Sequence, residues 1–494
     1  MTRLQLNGYE NEERTGPLVL LQEEIEDLHS YSFTTEQHPE LVELDWDVVE
    51  SLPGQVIFRT VVREKTLQIE KRYRLEENSH VIEFEVAFRN VGTERLNGIT
   101  YGLGSGVGLP VESADHSPFD RKALIATLGA DNSPQLETLT AFDIDLEDPQ
   151  AFRGVTPVFW GTENRFFTSL VINASDDDTN NQLQGVDPRI AFGNPIVIAT
   201  SKPLSLEPDA EAVHRYLLFH GPKDPPVLDR HAESGLPLLM DRGKFLFMSV
   251  TYIAKPVDAI LRFTGSLLGD YGLALILTTC LIRVCMMPLT LRQRRNAAKL
   301  ASLQPRLEAL KEEYGKDKKG MADAQMQLYK EENFNPMGGC FISMAVALLF
   351  VGAWQGLLDS FPLRHAELLW GLTWIHDLSA PDRLFALGNA VPMIGNYFNL
   401  LPVLAMLLMF AGYSMYADGA AADGKKKQSI LWKLLFCWLC YSMPAASWLC
   451  ILTFLIGTRL EQILIPIPAE HSSIEPSDDS ADTLDSIERD DVEN

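Results

Sequence analysis

"GLALILTTCLIRVCMMPLTLRQRR" (Gly272–Arg295) decides the fold. Tyr271 to Leu291 is one apolar run, long enough to cross a ~30 Å hydrocarbon core once, yet Arg283 sits inside it. A guanidinium on a lipid-facing surface at that depth costs at least ~2.5 kcal/mol, so it needs a reason to be there. Three more apolar regions follow, Met337–Leu358, Val391–Tyr416 and Ile430–Ile465. The last is too long for one perpendicular pass. Pro444, within "YSMPAASW", divides it into 430–443 and 446–465 with a turn at Pro444–Ser447. The expectation is a five-span α-helical bundle.

The chain before this region reads differently. "SHVIEFEVAFRN" alternates Ile82, Phe84, Val86 and Phe88 with Glu83, Glu85 and Arg89, a period of two with one buried face. "GQVIFRTVVREKTLQIEKRYRL" is similar, and "NVGTERLNG" supplies turn residues. Further strands are expected at "ALIATL", "FFTSLVI", "PIVIAT" and "AVHRYLLF", with "ASDDDTNNQLQG" as a polar loop. Short strands without long helices predict an all-β antiparallel sandwich over residues 1–240. The proline cluster in "GPKDPPVLDR" marks its boundary.

Composition excludes several functions. The 494-residue chain carries a formal net charge of -25, which argues against nucleic-acid binding. All six cysteines lie in the apolar half, so the β half has no disulfide framework. Cys437-x-x-Cys440 lacks a βαβ context and reads as packing. His38, His80, His116 and His214 are scattered, with no pair at metal-ligand spacing. No metal or cofactor is expected. "GAAADGKK" (Gly419–Lys426) has Lys426 where a phosphate loop needs Ser or Thr. His376, Asp377 and Ser379 are adjacent in a loop rather than spaced as a protease triad.

The remaining segments follow from charge and periodicity. Residues 244–269 are amphipathic, with Lys255, Asp258 and Arg262 among apolar residues, and fit a helix lying on a membrane surface. Residues 292–335 read as a helical hairpin turning at Gly315–Gly320, with Leu300, Leu303, Leu307 and Leu310 as its inner stripe and a kink or restart at Pro305. Arg306, Lys311 and Lys316 are its candidate contact residues. Basic residues concentrate in this hairpin and in the loop 417–429, whereas the loop 359–390 has only Arg364 and Arg383. The positive-inside rule therefore places the hairpin in the cytoplasm, the β domain outside and the C-terminus inside. The tail 468–494 is acidic and has the composition of a disordered segment.

Arg283 lies roughly 18 Å from the outer end of its span, in the inner half of the bilayer. The other apolar runs have no central Asp or Glu to pair with it, so it is expected to face a hydrated cavity open to the cytoplasm. Thr279, Met286 and Met287 share roughly its face. An anion-binding secondary transporter is the alternative reading, although five spans give no inverted repeat.

Residues from about Leu246 to Pro466 resemble the YidC family of membrane protein insertases. "LTTCLIRVCMMPLT" resembles its first core span, and "LQPRLEALKEEYGKDKKGMADAQMQLYKEENFNPMGGC" its cytoplasmic hairpin and the start of the next span. "WIHDLSAPD" resembles its external loop, and "KTLQIEKRYRLEENSHVIEFEVAFRNVG" its periplasmic domain. The resemblance implies a non-enzymatic insertase in the inner membrane. Its partners would be nascent membrane proteins, the Sec translocon, the ribosome and lipid, with a hydrophilic groove built around Arg283. In the family the last span begins Pro-Ser-Gly and then carries aromatic residues. Here "PAASWLCILTF" offers Trp448 and Phe454 as substitutes. The acidic tail also differs from the basic ends that contact ribosomes. Gram-negative relatives carry an additional N-terminal membrane helix, and "MTRLQLNGYENEERTG" resembles none. An in-frame apolar segment of roughly twenty residues is expected upstream, with a β edge left unpartnered near the N-terminus. The alternative is that the first span acts as a reverse anchor.

Overall fold

The computed structural model of the chain describes residues 3–22, 30–34, 44–62, 66–110, 121–129, 133–146, 152, 154–174, 183–191, 194–241, 244–245, 248–315, 317–391, 395–414, 431, 434–435, 438 and 440–466. The loop 417–429, the tail 468–494, Lys316, Cys437 and most of the span expected at 430–443 lie outside them.

The N-terminal half is built on an antiparallel nine-stranded sheet. Its order is Pro134–Thr140, Lys122–Leu128, Pro157–Glu163, Phe167–Asn173, Glu211–Pro222, Val81–Asn90, Leu67–Leu75, Gln55–Val62 and Asp47–Leu52. A four-stranded sheet of Leu183–Ala191, Asn194–Ser201, Gly102–Gly104 and Phe33–Thr34 packs against one face. The alternation read in Val81–Asn90 places Ile82, Phe84, Val86 and Phe88 in the core between the sheets. Trp160 stitches the layers by donating its indole N–H to the Leu103 carbonyl at 3.3 Å. The opposite face is covered at one end by the proline-rich linker, whose Leu228, Leu236 and Leu239 pack on Phe159, Leu170 and Phe219. Near the N-terminus, Arg3–Glu10 and Pro17–Gln22 form a two-stranded sheet of their own, from which Leu18, Leu20 and Leu21 enter the core.

Two core histidines make this half acid-sensitive. His214 Nδ1 lies 2.5 Å from the Tyr101 hydroxyl, and His220 Nε2 lies 3.2 Å from that of Tyr31. Burial pushes His214 down to about 4 and His220 down to about 3. The unfolded chain therefore binds the extra protons below the ordinary histidine value of 6.5, and stability is lost as pH falls from there towards the folded values. Between pH 7.5 and 4.5 each histidine is expected to remove about 2.5 kcal/mol. Melts of the full chain check this: His220→Gln should flatten the acid limb, and an unchanged limb contradicts the assignment.

The C-terminal half is helical. Thr251–Leu268 ends at Gly269 in a left-handed conformation, φ 67°, where glycine avoids the Cβ clash. Asp270 then caps the next helix by accepting from Leu273 N at 2.7 Å, and its other oxygen accepts from Trp370 N at 2.6 Å. That next helix, Tyr271–Tyr314, runs unbroken for 44 residues and joins the first span to the first arm of the hairpin. Pro305 neither restarts nor ends it: Pro288 and Pro305 both lie inside it, on its exposed surface. Lys318–Glu331 is the second arm, capped by Asp317. Leu303 and Leu328 are buried in the hairpin, and Arg306 pairs with Glu332 at 2.6 Å. Pro336–Leu358 follows, with proline at its first position, where its missing N–H has no helical partner to lose.

The span expected at 391–416 is shorter in the structure. Phe385–Val391 and Gly395–Phe398 pair as strands, and the helix is Leu401–Ser414. Pro392, Gly395, Asn396 and Asn399 are poor helix formers that an apolar average conceals. Ala445–Leu464 is the last helix. Three described helices are long and apolar enough to cross a membrane, Tyr271–Tyr314, Phe341–Leu358 and Ala445–Leu464.

The amphipathic helix lies tightly on the second apolar helix. A Cβ on Gly352 would come within 2.6 Å of Ile253, and one on Gly356 within 2.5 Å of the Ala254 carbonyl oxygen. This small-xxx-small pair lets the backbones approach. The opposite face of Thr251–Leu268 exposes Ile260, Phe263 and Leu267, an apolar stripe at i, i+3 and i+7.

The halves meet through the loop after Pro336–Leu358. Phe361 sits edge-on to Tyr9, Phe166 and Phe167, with ring centroids 5.6–6.1 Å apart. Arg165 donates to the carbonyls of Leu358 at 2.8 Å and Ser379 at 2.9 Å. Arg14 pairs with Glu367 at 3.1 Å and donates to the His365 and His376 carbonyls, while Arg364 donates to the Glu10 carbonyl at 2.8 Å.

Candidate functional site

The long helix and the last helix run side by side in the same direction, touching at Thr279 with Cys450 and then at Arg283 with Glu461. Thr279 Oγ1 donates back to the Leu275 carbonyl at 2.7 Å and approaches Cys450 Sγ at 3.6 Å. One turn on, the Arg283 guanidinium lies over the Phe454 ring, 4.3 Å from its centroid. Its stem crosses Gly457, where an added Cβ would stand 2.7 Å from Arg283 Cδ. Its Nη2 donates to Glu461 Oε2 at 2.8 Å, and the other oxygen of Glu461 accepts from Arg294 Nη1 at 3.1 Å.

Phe454, Gly457 and Glu461, at i, i+3 and i+7, thus form one stripe that receives the arginine: an aromatic face, a gap and a carboxylate. This corrects the expectation that Arg283 has no carboxylate partner. Glu461 belongs to the end of its helix, seven residues past Phe454, but two long side chains bridge an offset of about two turns, ~10.5 Å. Glu461 keeps 3% of its side-chain surface and Arg283 10%, so this is a buried pair. The balance of the cluster is two guanidiniums against one carboxylate, 2 − 1 = +1.

The other expected site residues divide. Thr279 and Met286 are buried with Arg283, and Met287 is half-buried on the same helix. Arg306 and Lys311 are exposed on the hairpin, roughly 35 Å or more along the helix from Arg283, and belong to a separate surface. Of the two aromatic candidates in the last span, Phe454 is the one against Arg283, while sequence reading missed Gly457, Glu461 and Arg294; the i, i+3, i+7 spacing in the last helix was the available signal. In the loop, Asp377 Oδ1 accepts from Ser379 Oγ at 2.7 Å and from two backbone N–H groups, and His376 is exposed. Ser379 therefore faces a carboxylate rather than a histidine base. Among the described residues no group of three or more His, Cys, Asp or Glu could hold a metal ion.

Comparison with known proteins assigns both halves. Residues 1–257 match the family described as "YidC periplasmic domain", and residues 263–468 match "60Kd inner membrane protein". The chain belongs to the YidC family. A YidC of Pseudoalteromonas atlantica, named "Membrane protein insertase YidC", is 31% identical over 330 residues, 66% of this chain and 57% of its own length. One of the same name from Shewanella baltica is 36% identical over 214 residues, 43% of this chain and 35% of its own. The alignments thus span about a third to somewhat over half of these YidC relatives. A solved structure titled as an active YidC insertase covers 94% of this chain and 88% of its own at 14% identity, with a TM-score of 0.33.

Proposed function

We propose that the chain is a membrane protein insertase, moving hydrophobic segments of nascent chains from the cytoplasm into the inner membrane, alone or with the Sec translocon. Five spans, a periplasmic β domain, a cytoplasmic hairpin and a cytoplasmic C-terminus complete the proposed topology. The observation that carries the reading is the paired arginine cluster in a family whose relatives bear the insertase name. With a surplus of +1, Arg283 and Arg294 attract an acidic flank of a client, which exchanges with Glu461 and leaves again. The client's apolar segment then moves into lipid, gaining ~0.3–0.6 kcal/mol per Leu, Ile, Phe or Val, so no fuel and no covalent step is needed. Phe454, stacked on Arg283, stands at the contact between the charged cluster and the apolar face of the last helix. The hairpin, with Arg306, Lys311 and Lys316, would recruit nascent chains or the ribosome. The transporter reading is weaker because the relatives that the chain resembles bear the insertase name.

Complementation after depletion of the host insertase tests this. Arg283→Ala should lower insertion of clients with acidic exported flanks about tenfold, the worth of one charge-assisted hydrogen bond, and spare neutral ones. Arg283→Lys should retain part, since the charge survives without the planar fork. Equal loss for both client classes sinks the electrostatic role.

A further inference from the structure

A cavity of about 750 Å³ lies where the β domain meets the helical half. Its upper wall carries Lys122 and the buried Lys223–Glu163 pair at 3.0 Å, and its floor is made by Gln355, Asp359 and Ser447. Those floor residues stand at the end of Pro336–Leu358 and the start of Ala445–Leu464, so the cavity is level with the ends of two helices able to cross a membrane. The amphipathic helix, exposing Ile260, Phe263 and Leu267, belongs to the same end of the bundle, next to the turn at Gly269.

Two floor atoms are orphaned. Ser447 is fully buried and its hydroxyl has no partner; Gln355 Oε1 is buried without a donor. Buried polar groups are normally satisfied, so both ask for a ligand. The amide oxygen calls for an N–H or O–H donor, and Asp359 beside it favours a cation. Lys122 on the facing wall favours an anion, as does a free hydroxyl able to donate. The wall also offers the apolar surfaces of Leu358 and Met443.

We propose that this cavity holds the headgroup of a phospholipid bearing both a phosphate and a primary ammonium, its acyl chains running down the helices below. The phosphate takes Lys122 and the Ser447 hydroxyl; the ammonium donates to Gln355 Oε1 and pairs with Asp359. A quaternary ammonium has no N–H, so phosphatidylcholine leaves Gln355 unsatisfied. The proposal goes beyond insertion and needs only that the helices sit in a bilayer.

The test uses the full chain in nanodiscs of phosphatidylethanolamine, phosphatidylcholine or phosphatidylglycerol, then detergent extraction and native mass spectrometry. One phosphatidylethanolamine should remain bound, retained at least fivefold better than the other two. Lys122→Glu and Thr138→Trp, which invert one wall charge and fill the cavity from another strand, should each abolish that preference without changing the melting profile. Gln355→Leu should level phosphatidylethanolamine with phosphatidylcholine. Millimolar inorganic phosphate should not displace the lipid. Equal retention of all three lipids, retention undiminished in both wall variants, or displacement by phosphate alone overturns the proposal.

Discussion

Glu461→Gln is expected to destabilise the helical half by about 3 kcal/mol, and Glu461→Leu by about 4, because both strand buried charge. The carboxylate accepts from Arg283 at 2.8 Å and from Arg294 at 3.1 Å. An amide keeps one acceptor but no charge, leaving two guanidiniums to repel across a low-dielectric contact. Removing both ends, as in Arg283→Met with Glu461→Leu, should cost clearly less than the sum of the single changes, since no charge is then left alone. Unfolding of the four proteins in one detergent measures this. A Glu461→Gln effect within about 0.5 kcal/mol of zero, or additive single changes, contradicts a coupled pair. Because the substitution also raises the cluster from +1 to +2, acidic-flanked clients should crosslink to this region longer and leave more slowly.

The second large effect is expected at the junction between the halves. Phe361→Ala removes a ring that fills the space between Tyr9, Phe166 and Phe167, at a cost of about 2–3 kcal/mol for a half-buried aromatic. Arg165→Ala leaves the carbonyls of Leu358 and Ser379 without a charged donor, at about 2 kcal/mol. His365 shares this junction and is pushed down to about 4, chiefly by burial and then by the Arg364 charge, so it adds no positive charge there at neutral pH. Hydrogen exchange in strands Arg3–Glu10 and Phe167–Asn173 should rise in both variants, while Leu67–Leu75, remote from the junction, should not change. Uniform exchange across the β domain would mean that the residues stabilise the domain itself rather than its attachment.

The sequence was most legible where one period dominates. Val81–Asn90 alternates strictly, and Met337–Leu358 carries no charge. It was least legible where the deciding contact joins distant segments. The strands Asp47–Leu52 and Pro134–Thr140 are mostly exposed, Val48, Val49 and Leu52 included, so their pairing comes from neighbours rather than from a buried face of their own. Glu461 was visible as a charge near a helix end. Its pairing was not, because the relative height of two helices set 178 residues apart is fixed by packing at Thr279 and Cys450. Gly457 reads in isolation as a weak point in a helix; next to Arg283 it is the gap through which the side chain passes.

The unbroken helix Tyr271–Tyr314 has a mechanical consequence. From Arg283 to Tyr314 it is a lever of about 46 Å, so a tilt of 5° at the base sweeps the tip through about 4 Å. The reverse also holds. A load pressing on the hairpin would tilt the shaft that carries the arginine, and the tilt would reach Glu461 through the helix backbone rather than a relay of side chains. The hairpin tip and the charge cluster are the two ends of one rod.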